Sequence, residues 1–187
     1  MKKAVTLLAA AALACGAADG LRAQSGFALK GHYVFNQSKV DDARDSGFED
    51  IPSSDGFSLG AEFVLPLGIG VGIAGYTEGK ATEFNTETSS FGVIGEANYF
   101  YKIPILPVSA YAGLHAGLGR YTIDEVGDTS PKIEDSRTQL GFQLGVRVQA
   151  TRNFAIDGQF RHMSDSASES QSPDLERNQF WIGVAIF

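Results

Sequence analysis

Apolar and polar residues alternate along eight segments of the chain, and period-two alternation predicts strands with two different faces. In residues 137–149, Leu140 and Phe142 share one face, while Gln139 and Gln143 share the other. The last segment is apolar on both faces, so its parity stays open, and no segment has a convincing helical period. The predicted strands are residues 26–36, 56–65, 69–78, 90–101, 108–121, 137–149, 154–163 and 178–187. The pattern therefore predicts an all-β protein.

The connections between the predicted strands alternate in length. The short ones are residues 66–68, 102–107 and 151–153, and the long polar ones are residues 37–55, 79–89, 122–136 and 164–177. Outer-membrane barrels have this asymmetry, with short periplasmic turns, long extracellular loops and strands of about 9–11 residues that cross the apolar layer. An even number of strands also puts both ends of the chain on the periplasmic side. We therefore predict an eight-stranded antiparallel transmembrane β-barrel with four long extracellular loops.

The charged residues of the strands fall on the polar face. We expect them to form a polar core in the lumen, because buried charges need partners. A soluble barrel of the lipocalin type is the alternative, and it would turn the apolar face inward around a ligand. Phe63 and Tyr99 lie next to short turns, and Phe57 and Phe91 lie toward the long connections, which favours a membrane barrel with aromatic residues at both interfaces. The predicted core is Lys30, Glu62, Glu96, Arg147, Asp157 and Arg161.

Residues 1–23 have the pattern of a cleavable signal peptide. A basic start and an apolar run over residues 4–14 precede small residues up to Ala23. We place the outer-membrane barrel domain at residues 24–187. Cleavage ahead of Cys15, with a lipid attached to it, is the alternative. Once the signal peptide is removed, the chain has no cysteine, which excludes disulfide bonds.

Acidic residues outnumber basic ones by 22 to 15, which gives a formal net charge of −7. This balance excludes nucleic acid as a partner, since phosphate recognition needs clustered Lys and Arg. The long connections contain six, two, five and four Asp or Glu residues in chain order. Asp41–Asp42 and Asp124–Glu125 could bind divalent cations, including those held by lipopolysaccharide. Solvated connections that bind an extracellular partner are the other interpretation.

Two histidines lie on the polar face of the predicted strands. His32 and His115 have neither a cysteine nor a third histidine to complete a coordination sphere. We interpret them as hydrogen-bonding residues of the lumen. The sequence therefore predicts no metal site and no cofactor.

An apolar strand ends at Phe187, and Phe187, Ala185, Gly183 and Trp181 alternate back from that end. Together with the leader, the strand count and the unequal connections, this strand resembles the small, porin-like outer-membrane β-barrel proteins of the OmpA, OmpX and OmpW type in Gram-negative bacteria. The resemblance covers residues 25–187. It implies an outer-membrane location, contact with lipid and lipopolysaccharide, and assembly by the barrel-insertion machinery with Phe187 as the signal. It implies no single activity, because such barrels serve as adhesins, stabilising proteins, narrow conduits and enzymes.

One motif fits an enzyme. His162, Met163 and Ser164 are followed by Glu176 twelve residues after the serine, and a hydroxyl nucleophile needs a base that a carboxylate orients. This arrangement resembles the His-X-Ser motif and distant Glu of the outer-membrane lipid A 3-O-deacylases. The resemblance implies His162 as the base, Ser164 as the nucleophile and Glu176 as the orienting acid. That family has Asn after the serine, whereas this chain has Asp165.

An eight-stranded barrel is only just wide enough for its own side chains to fill it. The polar core is therefore expected to be structural rather than a path for solutes. The favoured function is a non-enzymatic structural or surface-interaction role for a monomeric outer-membrane barrel. Two alternatives stay open: a lipid A deacylase that uses His162, Ser164 and Glu176, and a narrow channel or conduit for small hydrophobic solutes.

Overall fold

The chain folds as eight antiparallel strands that close into a barrel in chain order. The computed structural model describes residues 26–40, 54–83, 86–125, 133–167 and 175–187. The first and last strands pair with each other, from Leu29 opposite Ile186 to Val40 opposite Leu175. The predicted eight-stranded barrel is therefore confirmed. The strands are β1 (Gly26–Val40), β2 (Gly56–Val64), β3 (Ile69–Glu83), β4 (Thr86–Lys102), β5 (Val108–Glu125), β6 (Ile133–Thr151), β7 (Phe154–Ala167) and β8 (Leu175–Ile186).

Several sequence predictions fall on residues that the structure does not describe. They are the signal peptide with Cys15, the Asp41–Asp42 pair, and the central parts of the acidic connections at residues 41–53, 126–132 and 168–174. In the part of the chain that is described, no helix is long and apolar enough to cross a membrane.

The strands turn apolar side chains outward and polar side chains inward. Leu59, Leu114 and Leu118 are 76 %, 67 % and 69 % exposed, whereas Glu62 and Arg161 are buried. A soluble protein would bury its apolar residues, but a membrane barrel presents an apolar outer wall to lipid. The lipocalin-type alternative, with apolar side chains inside, is therefore wrong.

The structure fixes the parity of β8, which the sequence left open. Trp181 and Ala185 are buried in the lumen, while Phe180 and Ile182 are about half exposed on the outer wall. Trp181 lies opposite Val34 of β1, which is also buried. Apolar residues therefore occur on the inner face as well, and this is why β8 shows no clear alternation in the sequence.

Several strands extend beyond their predicted ends. β4, β5 and β6 contain 17, 18 and 19 residues, although about 9–11 residues suffice to cross the apolar layer. Residues 79–83 and 86–89 belong to β3 and β4, where the sequence predicted a long connection. These stretches consist mainly of polar residues, so alternation in hydropathy does not mark them as strands.

One end of the barrel carries short turns between consecutive strands. β2 ends at Val64 and β3 begins at Ile69, and the turn between them requires a glycine. Gly68 has a φ of 82°, and a Cβ there would lie 2.6 Å from the carbonyl oxygen of Phe100. The Phe100 N–H donates to the Gly68 carbonyl oxygen at 2.7 Å. This turn is therefore tied to the neighbouring β4 at the same end of the barrel.

Candidate functional site

The predicted polar core lies in the lumen, and the structure brings its six members together as an inner cluster (Lys30, Glu62, Glu96, Arg147, Asp157 and Arg161). Lys30 on β1 forms ion pairs with Glu62 on β2, at 3.5 Å between Nζ and Oε1, and with Glu96 on β4. Arg161 on β7 forms an ion pair with the other oxygen of Glu96. All four side chains are buried. Each charge has a partner, as a charge in a low-dielectric interior requires.

Arg147 connects the remaining members of the inner cluster. Its Nη1 lies 2.8 Å from Oε2 of Glu62, and its Nη2 lies 3.3 Å from Oδ2 of Asp157. Asp157 is also within 3.2 Å of Nε2 of His32, whose Nδ1 lies 3.3 Å from Oγ of Ser58. With three basic and three acidic side chains in mutual contact, the inner cluster has balanced formal charges.

A second set of ion pairs, the outer cluster (Glu78, Asp165 and Arg177), lies nearer the long connections. Nη1 of Arg177 is 2.5 Å from Oε1 of Glu78, and its Nε is 2.7 Å from Oδ2 of Asp165. Tyr76 contacts the same guanidinium at 3.2 Å, and the Tyr121 hydroxyl donates to Asp165 at 2.8 Å. Sequence reasoning missed Asp165 and Arg177 because it assigned both to a solvated connection. Arg177 shares the inward parity of Gln179 and Trp181, a signal that was readable only once the parity of β8 was known.

An apolar septum separates the two clusters. Along β7 the inward residues run from Arg161 of the inner cluster through Met163 to Asp165 of the outer cluster. Arg161 places its Cζ 3.9 Å from the centroid of the Trp181 ring. Sequence reasoning missed this layer, because Val34, Ile94 and Met163 are each a single break in the alternation of their strands, and Trp181 lies on a strand whose parity was open. The septum consists of Val34, Ala74, Tyr76, Ile94, Met163 and Trp181.

Glycines allow aromatic rings to lie across the lumen. The ring of Tyr111 covers Gly145, where a Cβ would lie 2.2 Å from Cζ of the tyrosine. The Tyr111 hydroxyl donates to Oδ1 of Asp157 at 3.1 Å. A larger residue at position 145 would push this ring away from the inner cluster.

Aromatic rings also surround Arg147 at the end of the barrel near the short turns. The Arg147 Cζ lies 4.7 Å from the centroid of the Phe100 ring, and 5.7 Å from those of Tyr111 and Phe187. Such distances allow cation–π contacts. Phe187 therefore packs on the luminal side, and Ile186 is the neighbouring residue on the outer wall.

The residues of the enzyme hypothesis lie together on the outer wall. Ser164 lies directly opposite Glu176, and His162 lies opposite Asn178. His162 uses its Nδ1 in a 3.0 Å contact with Oδ1 of Asn178. Among the described residues, no hydrogen bond joins His162, Ser164 and Glu176 to one another. The structure thus gathers the three side chains in one patch without aligning them as a catalytic triad.

Metal ligation was predicted to be absent, and the described residues allow a comparison. In the described strands and turns, no group of three or more His, Cys, Asp or Glu residues is arranged to hold a metal ion. The acidic side chains of the lumen and His32 instead contact Arg, Lys and hydroxyl groups, whereas the two ring nitrogens of His115, which is also buried there, have no hydrogen-bond partner among the described residues.

The same fold occurs in solved outer-membrane proteins. Neisserial surface protein A is 17 % identical, with 87 % of this chain and 97 % of that chain covered and a TM-score of 0.69. Ail, the attachment invasion locus protein of Yersinia pestis, is 19 % identical, with 87 % and 99 % covered and a TM-score of 0.60. OprG from Pseudomonas aeruginosa is 12 % identical, with 87 % and 96 % covered and a TM-score of 0.57. At these identities, the similarity establishes the fold alone.

A family model extends the relationship to nearly the whole sequence. Residues 4–186 match the model described as the outer membrane protein beta-barrel domain. No curated protein gives a significant match. Because the match spans the complete barrel, and the closed eight-stranded sheet agrees with it, the chain belongs to the outer-membrane β-barrel protein family.

Proposed function

We propose that this protein is a monomeric, non-enzymatic barrel of the bacterial outer membrane with a structural or surface-interaction role and a lumen closed to solutes. The septum carries this proposal, since its members are at most 4 % exposed and lie between two clusters of paired charges. An eight-stranded barrel leaves little room beyond its own side chains, and an apolar constriction resists wetting. Export by the predicted signal peptide at residues 1–23 and assembly by the barrel-insertion machinery belong to the same proposal.

Planar-bilayer recording tests the closed lumen. The reconstituted wild-type protein is expected to give no discrete conductance steps. Conductance steps in the wild type that change in an Arg147→Ala variant would favour the narrow channel instead. A second measurement tests the conduit: uptake of a small hydrophobic solute is expected to be equal in vesicles that contain the barrel and in empty vesicles. Faster uptake by the vesicles that contain the barrel would favour the conduit.

A surface-interaction role rests on the acid-rich connections. A solved complex of Ail contains the heparin analogue sucrose octasulfate, which is a polyanion. The present chain has a net charge of −7, and like charges repel. We therefore expect a basic peptide such as decalysine, rather than sucrose octasulfate, to bind the folded barrel in calorimetry. Deletion of residues 41–53 should weaken that binding while heat-modifiable gel mobility is retained. Binding of the polyanion alone would contradict the proposal.

Lipid A deacylation is the second candidate, because Ser164 lies opposite Glu176 on the outer wall. Asp165, which stands where that enzyme family has Asn, points into the lumen toward Arg177, so its side chain is not on the same face as Ser164. Mass spectrometry of lipid A from cells with and without the protein separates the two functions. Release of a fatty acid that persists in a Ser166→Ala control and disappears in Ser164→Ala would establish the enzyme. Unchanged lipid A supports the non-enzymatic proposal.

A further inference from the structure

Three aromatic side chains form a cluster on the outer wall where β1 and β2 approach the long connections. Tyr33 lies directly opposite Phe57 across the two strands, and their ring centroids are 5.2 Å apart at an interplanar angle of 84°. Phe35 follows on the outer face of β1, with its ring centroid 4.7 Å from that of Tyr33. Edge-to-face contacts of this kind favour fixed relative orientations of the rings. The cluster is therefore an ordered aromatic surface.

A carboxylate lies beside this surface. The Tyr33 hydroxyl donates to Oδ2 of Asp55 at 2.8 Å, and the Gly79 N–H donates to the backbone oxygen of Asp55 at 3.0 Å. Asp55 is exposed, and no basic residue of the described strands forms an ion pair with it. Its position is thus fixed next to the rings while its charge faces solvent. We define the aromatic rim site as Tyr33, Phe35, Asp55 and Phe57.

The aromatic rim site has the composition that attracts a cation. The face of an aromatic ring has a negative electrostatic potential, and a neighbouring carboxylate adds a full negative charge. In the lumen, guanidinium groups of the chain itself lie over aromatic rings, as Arg147 does over Phe100. Among the described residues, every such cation–π contact lies inside the lumen. The rings of Tyr33 and Phe57, which are 36 % and 62 % exposed, are therefore open to a cation from another molecule.

The surroundings of the aromatic rim site indicate where this cation comes from. Outward positions along β2 change from Leu59 and Phe57 to Asp55 just before the strand begins. Because a charged side chain is costly in the hydrocarbon layer, the apolar band ends at this level, and Asp55 faces the water side. Residues 37–55 contain six acidic and two basic residues. Such an excess of negative charge raises the local concentration of basic molecules.

We propose that the aromatic rim site binds a lysine or arginine side chain of a partner protein. This inference rests on the proposed surface-interaction role and names the chemical group that is bound. The cationic end lies over the rings of Tyr33 and Phe57 and pairs with the carboxylate of Asp55. Lysine and arginine have long apolar stems, so a partner above the membrane surface can place the charge at the level of the rings.

Calorimetry with decalysine tests this proposal on the folded barrel in maltoside micelles, which contain no cationic group. The double substitution Tyr33→Leu and Phe57→Leu removes two rings and is expected to raise the Kd by about tenfold. Asp55→Asn removes the carboxylate charge and should also raise the Kd. Tyr99→Leu is the matched control, because Tyr99 is an exposed tyrosine of the outer wall near the short turns. It should leave the Kd unchanged.

Trimethylated decalysine separates the contribution of the rings from that of hydrogen bonding. A trimethylated ammonium group keeps its charge and its attraction to aromatic faces, but it has no N–H to donate. Its Kd is therefore expected to stay within about threefold of that of decalysine. Loss of binding on trimethylation would overturn the role of the rings.

The remaining outcomes separate this site from the proposed function. Equal Kd values for the wild type and the double variant would overturn the aromatic rim site and leave the surface-interaction role intact, whereas no binding to the wild type would contradict both. Displacement of decalysine by phosphatidylethanolamine in mixed micelles would assign the site to a lipid headgroup and overturn the protein partner. Heat-modifiable gel mobility checks that each variant is folded. If the double variant does not fold, the exposed Asp55→Asn substitution decides, since an unchanged Kd there would overturn the proposal.

Discussion

At the scale of a single residue, Arg147 contacts both carboxylates and aromatic rings of the lumen. Its guanidinium pairs with Glu62 and Asp157 and lies over the ring of Phe100. Removal of one partner from a buried ion pair leaves an uncompensated charge. Arg147→Ala is therefore expected to lower the free energy of unfolding by about 3–5 kcal/mol, measured by urea titration in lipid vesicles.

Arg120→Ala is the matched control for this prediction, because the Arg120–Glu134 pair is about half exposed. Exposed pairs contribute about 0–1 kcal/mol. An equal decrease in the free energy of unfolding in the two variants would contradict the distinction between the buried inner cluster and the exposed outer wall.

A pair of glycines tests the packing of the lumen. A Cβ at Gly145 would clash with the Tyr111 ring, whereas a Cβ at Gly158 would meet nothing within 4 Å. Gly145→Ala is expected to cost about 1–3 kcal/mol through overpacking. Gly158→Ala should be neutral or slightly stabilising, because alanine loses less backbone entropy in a strand. Thermal unfolding of both variants checks the prediction, and similar destabilisation in both would count against the position of Tyr111.

Among the strands, β8 is the element whose sequence was least informative. β1 to β7 alternate because their inward residues are mostly polar, and their faces could be predicted from the sequence. In β8, Trp181 and Ala185 face inward and are apolar, so both faces looked alike. The ends of β3 and β4 near the long connections were missed for a different reason, since residues 79–83 and 86–89 are mainly polar and alternation in hydropathy does not mark them.

The parity of β8 predicts an unequal response to charge along its outer face. Ile182 lies within the apolar band, whereas Asn178 lies near the outer rim beside His162. Ile182→Arg is expected to lower the free energy of unfolding in vesicles by about 2–4 kcal/mol, and Asn178→Arg by about 0–1 kcal/mol. Urea titrations of the two variants check this order. A larger loss at Asn178 would mean that the apolar band has been assigned to the wrong part of the strand.

For the whole molecule, the inner cluster could be predicted from charge and face alone. Lys30, Glu62 and Arg147 share the polar face of their strands, and a narrow barrel leaves them no partners except one another. The septum and the outer cluster could not be predicted, because Ile94 and Met163 break the pattern singly and Arg177 lies beyond the last clear alternation. These missed layers make the lumen a stack of paired charges and apolar side chains. Closure of the sheet also leaves no edge strand to pair with another chain, in agreement with the proposed monomer.

Trp181 is the only tryptophan in the sequence, and its fluorescence tests most directly the claim that polar residues and the septum fill a closed lumen. In vesicles, brominated lipids and aqueous iodide are both expected to quench Trp181 weakly, because the ring is sealed inside the barrel. In a Phe180→Trp, Trp181→Phe variant the indole moves to the outer wall, and brominated lipids should quench it strongly. Strong quenching of wild-type Trp181 by brominated lipid would contradict the inward parity of β8, and strong quenching by iodide would contradict the closed lumen.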